Sequence, residues 1–449
     1  MTYETKVLTP TPLSLKSPPH CFGNGSLKNI STMKKLIASA GLVAVGATSL
    51  QAAYAPGLSP LETAKPWSIS ATVRGFYDDN YPTAPASFTG KTSSFGFEFS
   101  PSAAINIPLD QTYFGASYIY TMKYYESRPN DNFDQSHEVT LKLDHRFSER
   151  YKVTLSDAFA YSSEPDVIQP TGAPFSVFTR TDASALRNLA NIEFTAQITE
   201  LLGLQPGYRN TWYNFLDSGP GSRSATLDRI EQYLHLDATY QAAEHLIGLV
   251  GYEFGLRNYT SDEEIIAGSG LIGDFRNSQS HKAYVGVDYA MSSQLNASAK
   301  AGVEYTTYEN ISGENSLTPY FNINATYTYL PGSYAQLGFR VDKAATDVTG
   351  FSASDVVLDE NTATVYGSVN HRVTREITAS LLGQYQYGKF SSGSFDGEVE
   401  NWYTVGINLE YRINPNWAVE TGYNWDHLVS DIGRGFSRNR VYIGASATF

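Results

Sequence analysis

Apolar and polar residues alternate along most of the chain from Trp67 to Phe449, in long segments separated by turns. The segment 401–413 shows the pattern most clearly. One face would carry Tyr403, Val405, Ile407, Leu409, Tyr411 and Ile413, and the other Trp402, Thr404, Gly406, Asn408, Glu410 and Arg412. Such alternation gives a β-strand one apolar and one polar face. The segments exceed the roughly five or six residues of a soluble strand and reach the about nine to eleven of a membrane strand. The pattern predicts an all-β chain whose strands cross a membrane.

The connections between these segments are alternately short and long. The short ones lie at residues 108–111, 148–150, 200–203, 241–244, 292–293, 331–333, 374–376 and 414–416, and the long ones near 78–91, 126–135, 163–184, 216–226, 261–279, 309–316, 348–360, 391–398 and 431–436. Eight short turns and nine long loops predict a transmembrane antiparallel up-and-down barrel of eighteen strands. The first strand then starts, and the last strand ends, on the short-turn side, which is periplasmic in outer-membrane barrels. Residues 151–215 alternate poorly, so sixteen strands is the alternative.

The composition agrees with a membrane barrel. Charged residues make up 17% of the chain and aromatic residues 13%, with 32 Tyr and 36 Gly. This mixture suits strands and turns better than helices with a charged surface. No segment beyond residue 55 has the roughly 18 consecutive apolar residues of a spanning helix, so a chain that crosses the membrane must do so as a closed barrel. Aromatic pairs at segment ends, such as Tyr124-Tyr125 and Trp212-Tyr213, would form girdles at the headgroup levels.

The N-terminal region has the order of a secretory signal. Met33-Lys34-Lys35 supplies a basic start, an apolar run follows, and Ala53-Tyr54-Ala55 ends in an A-x-A cleavage site. We therefore expect a signal peptide at 33–55, a short periplasmic segment at 56–66 and the barrel at 67–449. Residues 1–32 are expected to be an upstream extension from a misplaced start, with an unusually long basic region as the alternative.

Charge and cysteine usage narrow the partners. The formal net charge is -13 at pH 7, and loss of residues 1–55, which hold five lysines and one glutamate, leaves 27 basic and 44 acidic residues. An acidic chain lacks the basic face that nucleic acid requires, so nucleic acid is not an expected partner. The predicted membrane barrel instead gives outer-membrane lipid, lipopolysaccharide and small hydrophilic solutes as the expected partners. The single cysteine, Cys21, precedes the cleavage site, so the exported chain is expected to have no disulfide.

The last strand carries an expected assembly signal. Val441, Ile443, Ala445, Ala447 and Phe449 alternate with polar or small residues, and the sequence ends on the aromatic ring. Gly444 and Phe449 resemble the C-terminal signal that the barrel-assembly machinery reads. Ala447 departs from that signal, because many outer-membrane barrels have a bulky residue at this position.

An eighteen-stranded barrel is too wide for side chains alone to fill, as in porins. The sequence therefore predicts an outer-membrane channel for passive diffusion of small hydrophilic solutes. The candidate pore-lining residues are Arg340, Asp342, Arg372, Glu410, Arg412, Glu420, Arg438 and Arg440. The alternative for most of these charges is pairing across neighbouring strands, which would stiffen the wall. Trp402, Tyr366, Tyr284 and Tyr442 on the polar face are candidates for a saccharide track, with packing inside the barrel as the alternative.

Enzymes, plugged transporters and non-conducting barrels are the other classes of outer-membrane barrel to which the sequence could belong. The barrel histidines are not in a nucleophile or metal-ligand spacing, so no enzyme, metal site or cofactor is expected. Only residues 56–66 separate the cleavage site from the barrel, which is too short for an N-terminal plug. A non-conducting structural or adhesive barrel that acts through its surface loops, or an accessory barrel of polysaccharide export, is the alternative to a porin. The sequence does not set the oligomeric state.

The first strand ends in Arg74-Gly75-Phe76-Tyr77-Asp78-Asp79-Asn80. The YDDN element within it resembles the opening of the β-barrel porin family found in exopolysaccharide-export operons. The resemblance covers this short element and the overall architecture, and it implies an outer-membrane channel linked to polysaccharide traffic. The alternative is a polar loop, for which Asp-Asp-Asn is common turn chemistry.

Overall fold

The computed structural model describes residues 66–85, 91–129, 131–163, 184–290, 294–311, 313–352 and 354–449. The predicted upstream extension 1–32, the predicted signal peptide 33–55 and nearly all of the predicted periplasmic segment 56–66 lie outside the described residues. The described chain is almost entirely β-sheet, in one sheet of eighteen strands.

The strands are long and follow one another along the chain. They are β1 (Trp67–Asp78), β2 (Ser94–Pro108), β3 (Thr112–Tyr125), β4 (Phe133–Arg146), β5 (Tyr151–Ser162), β6 (Ala185–Gln197), β7 (Leu202–Phe215), β8 (Arg229–Ala243), β9 (Leu246–Tyr259), β10 (Ser278–Ala290), β11 (Leu295–Tyr308), β12 (Asn315–Leu330), β13 (Ser333–Ala344), β14 (Asp359–Arg372), β15 (Ile377–Ser391), β16 (Val399–Arg412), β17 (Trp417–Ser430) and β18 (Phe436–Thr448). Among the described residues, helical structure is limited to α1 (Arg223–Leu227) and two short 3-10 helices, Gly273–Arg276 and Gly393–Phe395. Within the described ranges, no helix is long and apolar enough to cross a membrane.

Every strand pairs antiparallel with its neighbours in sequence, and β1 pairs with β18. The register runs from Ser70 opposite Thr448 to Asp78 opposite Arg440, and Phe449 exchanges backbone hydrogen bonds with Ile69. The sheet is therefore a closed barrel, and the start of β1 and the end of β18 both lie on the short-turn side. The predicted eighteen-stranded antiparallel barrel is confirmed, and the sixteen-stranded alternative is wrong.

The weak alternation of residues 151–215 has a local cause. Strands β5, β6 and β7 are regular and fully paired. Their outward face includes polar residues, with the Asn188 amide donating to Asp157 at 3.0 Å, while their inward face includes Ala158, Ala160 and Leu189. Because polar groups face outward and apolar ones inward here, the period-two signal is blurred although the strands form.

The two faces of the barrel differ as the alternation predicts elsewhere. Apolar residues of the outward face are exposed on the isolated chain, for example Ile443 at 70% and Leu337 at 61%. Their even-numbered neighbours in the same strands point inward and are polar. In a membrane the outward side chains contact lipid, so the inward side chains line an interior that lipid does not reach.

Candidate functional site

The barrel closes at a seam between β1 and β18 that buried charges hold together. The Asp78 carboxylate accepts from Arg438 at 2.6 Å and from Arg440 at 2.8 Å, and both Asp78 and Arg438 are almost completely buried. Arg440 also donates to the Tyr125 hydroxyl at 2.9 Å. One acid of the first strand therefore binds two arginines of the last strand.

The rest of the YDDN element acts at the same seam. The Asp79 carboxylate accepts from the backbone N–H of Asn439 at 2.6 Å and from its side-chain amide at 2.7 Å. The Asn80 amide donates to the carbonyl of Ser437 at 3.1 Å. Asp78, Asp79 and Asn80 thus bind four consecutive residues, 437–440, at the start of β18. Turn chemistry is present as well: the Asn80 backbone N–H donates to Asp78 at 3.1 Å, and the Asn80 side-chain amide exchanges hydrogen bonds with the backbone of Ala84 at 3.1 and 3.2 Å. The element therefore serves both the loop and the seam.

Arg74 forms a second clamp deeper in the seam. Its guanidinium donates to Glu98 of β2 at 2.7 Å and to Glu420 of β17 at 2.7 Å, and so spans four strands. It crosses over Gly444 of β18, where a Cβ atom would lie 2.6 Å from the Arg74 side chain. The glycine therefore makes room for the clamp. Its expected role in assembly, like that of the 54% exposed Phe449, stays a prediction.

Further ion pairs line the inward face along β8 to β14. Lys282 binds Glu253 at 2.9 Å and Glu304 at 3.4 Å, and Lys300 binds Asp237 at 2.9 Å. Near the long loops, Lys343 binds Asp359 at 2.8 Å. These partners come from adjacent strands or from strands two or three places apart, which supports the expectation that most interior charges pair and stiffen the wall.

The candidate pore-lining residues belong to several separate groups. Arg340 pairs with Asp342 halfway along β13. At the short-turn rim, Arg412 pairs with Glu410 at 3.3 Å, and Arg372 donates to the backbone carbonyl of Arg375 at 3.0 Å.

The remaining candidates, Glu420, Arg438 and Arg440, belong to the seam clamps. The eight candidates therefore do not form one continuous group. Glu98, Arg209, Arg229 and Lys282 are further interior charges that were not predicted, although the even or odd position of each residue in its alternating segment carries the signal.

Inward-facing aromatic rings lie flat on the wall opposite glycines. Tyr366 is paired in register with Gly338, Tyr442 with Gly422 and Tyr284 with Gly251. A Cβ atom at any of these glycines would collide with the opposite ring. Trp402 is buried against Leu428 and Phe436, and its indole N–H donates to Thr404 at 3.0 Å. These four rings pack against the barrel wall, which is the alternative to a saccharide track.

This arrangement predicts the effect of filling one glycine site. Gly338→Ala is expected to push the Tyr366 ring off the wall into the interior, to cost about 1–3 kcal/mol of stability through overpacking, and to lower single-channel conductance. Gly383→Ala is the control, because nothing lies within 4 Å of a Cβ atom at that position. Planar-bilayer recording and urea unfolding of both variants measure the effect. Equal conductance in the two variants would contradict the packing account.

Five loops at the long-loop end interlock. They are 216–228, 260–277, 345–358, 392–398 and 431–435, here called the loop cluster. Arg276 is fully buried and donates to the carbonyls of Thr226 at 3.4 Å, Thr346 at 2.9 Å and Val348 at 2.6 Å. Burial lowers the pKa of its guanidinium, but an arginine stays protonated in proteins. One cation therefore ties three loops.

Loop 345–358 is the centre of the loop cluster. Val348, Val357 and Phe390 form a buried apolar group to which Ile432 of the last loop packs. Arg434 binds Asp347 at 2.9 Å and Glu400 at 2.6 Å. Burial by itself would lower the pKa of Arg434, but these two carboxylates raise it above its ordinary value. Loop 345–358 therefore contacts loops that follow β9 and β17, up to four strands away on either side.

The interior is accessible on the opposite side. Inward residues of β5, including Lys152, Thr154 and Ser156, and of β6, including Asn191 and Glu193, are all partly exposed. On β14 the inward residues Glu360, Thr362, Thr364 and Ser368 are instead buried. The barrel is therefore filled along β8 to β14 and open to solvent along β4 to β6. The described residues contain no group of three or more His, Cys, Asp or Glu side chains arranged to hold a metal ion.

Comparison with solved structures finds similarity at low sequence identity. The chain is similar to the outer membrane protein opdK from Pseudomonas aeruginosa, with 11% identity, a TM-score of 0.43 and coverage of 85% of this chain and 99% of that chain. A BenF-like porin from Pseudomonas fluorescens Pf-5 has 13% identity and a TM-score of 0.44, with coverage of 85% of this chain and 99% of that chain. OccAB4 from Acinetobacter baumannii has 15% identity and a TM-score of 0.42, with coverage of 86% of this chain and 99% of that chain. No curated protein sequence matches significantly.

Comparison with protein families is decisive for the classification. The family model described as "Putative beta-barrel porin 2" matches residues 70–449, which is the whole barrel from the first strand to the last residue. The match begins just before Arg74 and includes the YDDN element that resembled a porin family in the sequence. The chain therefore belongs to the "Putative beta-barrel porin 2" family and is a porin-like β-barrel of the bacterial outer membrane.

Proposed function

We propose that the protein is a passive diffusion channel for small hydrophilic solutes. The observation that carries the proposal is the partly exposed polar lining of β4 to β6 inside a closed barrel. Lipid covers the outward face in the membrane, so the solvent that reaches Lys152, Thr154, Asn191 and Glu193 lies within the barrel. Polar groups in contact with solvent on the inner wall are what a water-filled path requires.

The half-filled interior sets the expected size limit. Ion pairs and wall-packed rings occupy the side from β8 to β14, and the loop cluster covers the mouth above it. The path is therefore narrower than the strand number alone would give. The four aromatic rings that a saccharide would need are held against the wall, so the proposal is for small solutes in general and is not specific to sugars.

The test is single-channel recording of the purified protein in a planar bilayer. Stable, repeated conductance steps would support the channel, and their size in salts of increasing ionic radius would give the diameter of the path. Heat-modifiable migration on a gel shows separately that the barrel is folded. A folded barrel that never conducts would overturn the proposal and favour a structural or adhesive barrel, or an accessory role in polysaccharide export.

A further inference from the structure

Two arginines reach into the interior from distant parts of the wall at the same depth. Arg209 lies on β7 and Arg340 on β13, each seven residues from the first residue of its strand on the short-turn side, Leu202 and Ser333. Six strand positions separate them around the ring. Both side chains point to the inward face, so the two guanidinium groups enter the interior at the same depth.

Both arginines are more exposed than the carboxylates that pair with them. The Arg209 side chain is 38% exposed and Glu253 12%, and the Arg340 side chain is 35% exposed and Asp342 8%. The acids therefore lie against the wall and the bases towards the solvent. Although each pair is formally neutral, a solute in the interior meets the positive ends first.

The contacts of Arg209 leave much of its hydrogen-bonding capacity towards the solvent. Its described ion pair is a single Nη2 contact to Glu253 at 3.5 Å, and Glu253 is bound more tightly by Lys282, at 2.9 Å. The guanidinium lies over the Tyr233 ring, 4.4 Å from its centre. An arginine has five N–H donors in a planar fork, so a second acceptor is accommodated without breaking the existing pair.

The exposure difference is confined to particular pairs. Lys300 and Asp237 have it, at 26% and 6%. At the short-turn rim it is nearly absent, since Arg412 is 38% exposed and Glu410 33%. The rim pair and the two Lys282 pairs thus present both signs about equally, whereas the pairs of Arg209, Lys300 and Arg340 present mainly the cation. This is the reverse of what the net charge of -13 suggests.

We propose that Arg209 and Arg340 form an anion-binding site halfway through the channel and that the favoured solutes are small oxyanions, carboxylates above all. The two oxygens of a carboxylate match the fork of a guanidinium, and a low-dielectric wall strengthens the attraction. The inference rests on the proposed channel function and names its class of solute.

The experiment compares four proteins in planar bilayers under a potassium chloride gradient. The native protein is expected to be anion-selective, and the double variant Arg209→Gln, Arg340→Gln to lose at least about threefold in chloride-to-potassium permeability. Added succinate is expected to reduce the native chloride current and to leave that of the double variant unchanged. The double variant Arg209→Lys, Arg340→Lys keeps the charge, so it should keep the selectivity but lose most of the succinate effect.

The matched control is Arg412→Gln, which removes an equally exposed arginine from the rim and is expected to leave selectivity unchanged. Heat-modifiable migration establishes that each variant is folded. A cation-selective native channel, or a folded double variant with native selectivity, overturns the anion site while the channel stands. A folded native barrel without conductance overturns the channel itself, and the anion site with it.

Discussion

Asp78→Ala is expected to cost about 3–5 kcal/mol of barrel stability, because it removes the buried carboxylate that Arg438 and Arg440 share. The two arginines would then lose their common acceptor at the seam between the first and last strands. The barrel should lose heat-modifiable migration at a lower temperature and unfold at a lower urea concentration in detergent. The measurement is the urea midpoint followed by tryptophan fluorescence.

Two further variants separate the effect of the lost charge from the effect of removing any carboxylate. Asp78→Asn keeps the shape and one acceptor oxygen but removes the charge, so it should be intermediate. Asp110→Ala removes an exposed carboxylate from the short turn between β2 and β3 and should have almost no effect, as surface substitutions do. If Asp78→Ala unfolds at the same urea concentration as Asp110→Ala, the seam does not depend on this carboxylate.

Arg276→Met is expected to release loop 345–358 from the loop cluster. Three carbonyls, those of Thr226, Thr346 and Val348, lose a charged donor, and each buried acceptor left without a partner costs about 1–3 kcal/mol. Methionine fills much of the volume, so the loss is of hydrogen bonds more than of packing. The expected results are faster proteolysis near the exposed Phe351 and larger or noisier conductance steps.

Barrel stability itself should change little in this variant, because the strands are not touched. Lys91→Gln is the control, since it removes an exposed pair with Asp79 at 3.3 Å in another long loop. Protease resistance in Arg276→Met equal to that of Lys91→Gln would show that other contacts suffice to hold the loop.

The architecture could be predicted from the sequence because a membrane barrel imposes a simple local rule. Each strand must alternate and each pair must be joined by a turn, so counting turns gives the strand number even where residues 151–215 alternate poorly. The inward or outward direction of a side chain follows from its parity within the strand. This is why Arg340, Glu410, Glu420 and Arg438 were predicted on the inner face.

The pairing of interior charges could not be predicted, because it depends on how the sheet closes. Arg74 and Glu420 are 346 residues apart and meet only after β1 joins β18. The exposure of Arg209 and Arg340 relative to their acids depends on the packing of the whole interior, which no local pattern encodes. The apolar residues of loop 345–358 were a weak signal, since Val348, Val356, Val357 and Leu358 stand in an otherwise polar tract. The glycines opposite inward-facing tyrosines were a second weak signal, because they can be recognised only once the register of the strands is known.

The seam also restricts how the ring can join. Slipping β18 by one residue against β1 would turn Arg438 and Arg440 towards lipid, and slipping it by two would keep the faces but move Asp79 away from Asn439. Asp78, Asp79 and Asn80 therefore fix the register, because only one alignment of the first and last strands satisfies the hydrogen bonds of all three residues. The two strands lie at opposite ends of the polypeptide, so this register can form only after the whole chain has reached the membrane. A truncated or misaligned chain would keep an open edge of unpaired N–H and C=O groups, which can pair with another chain and aggregate.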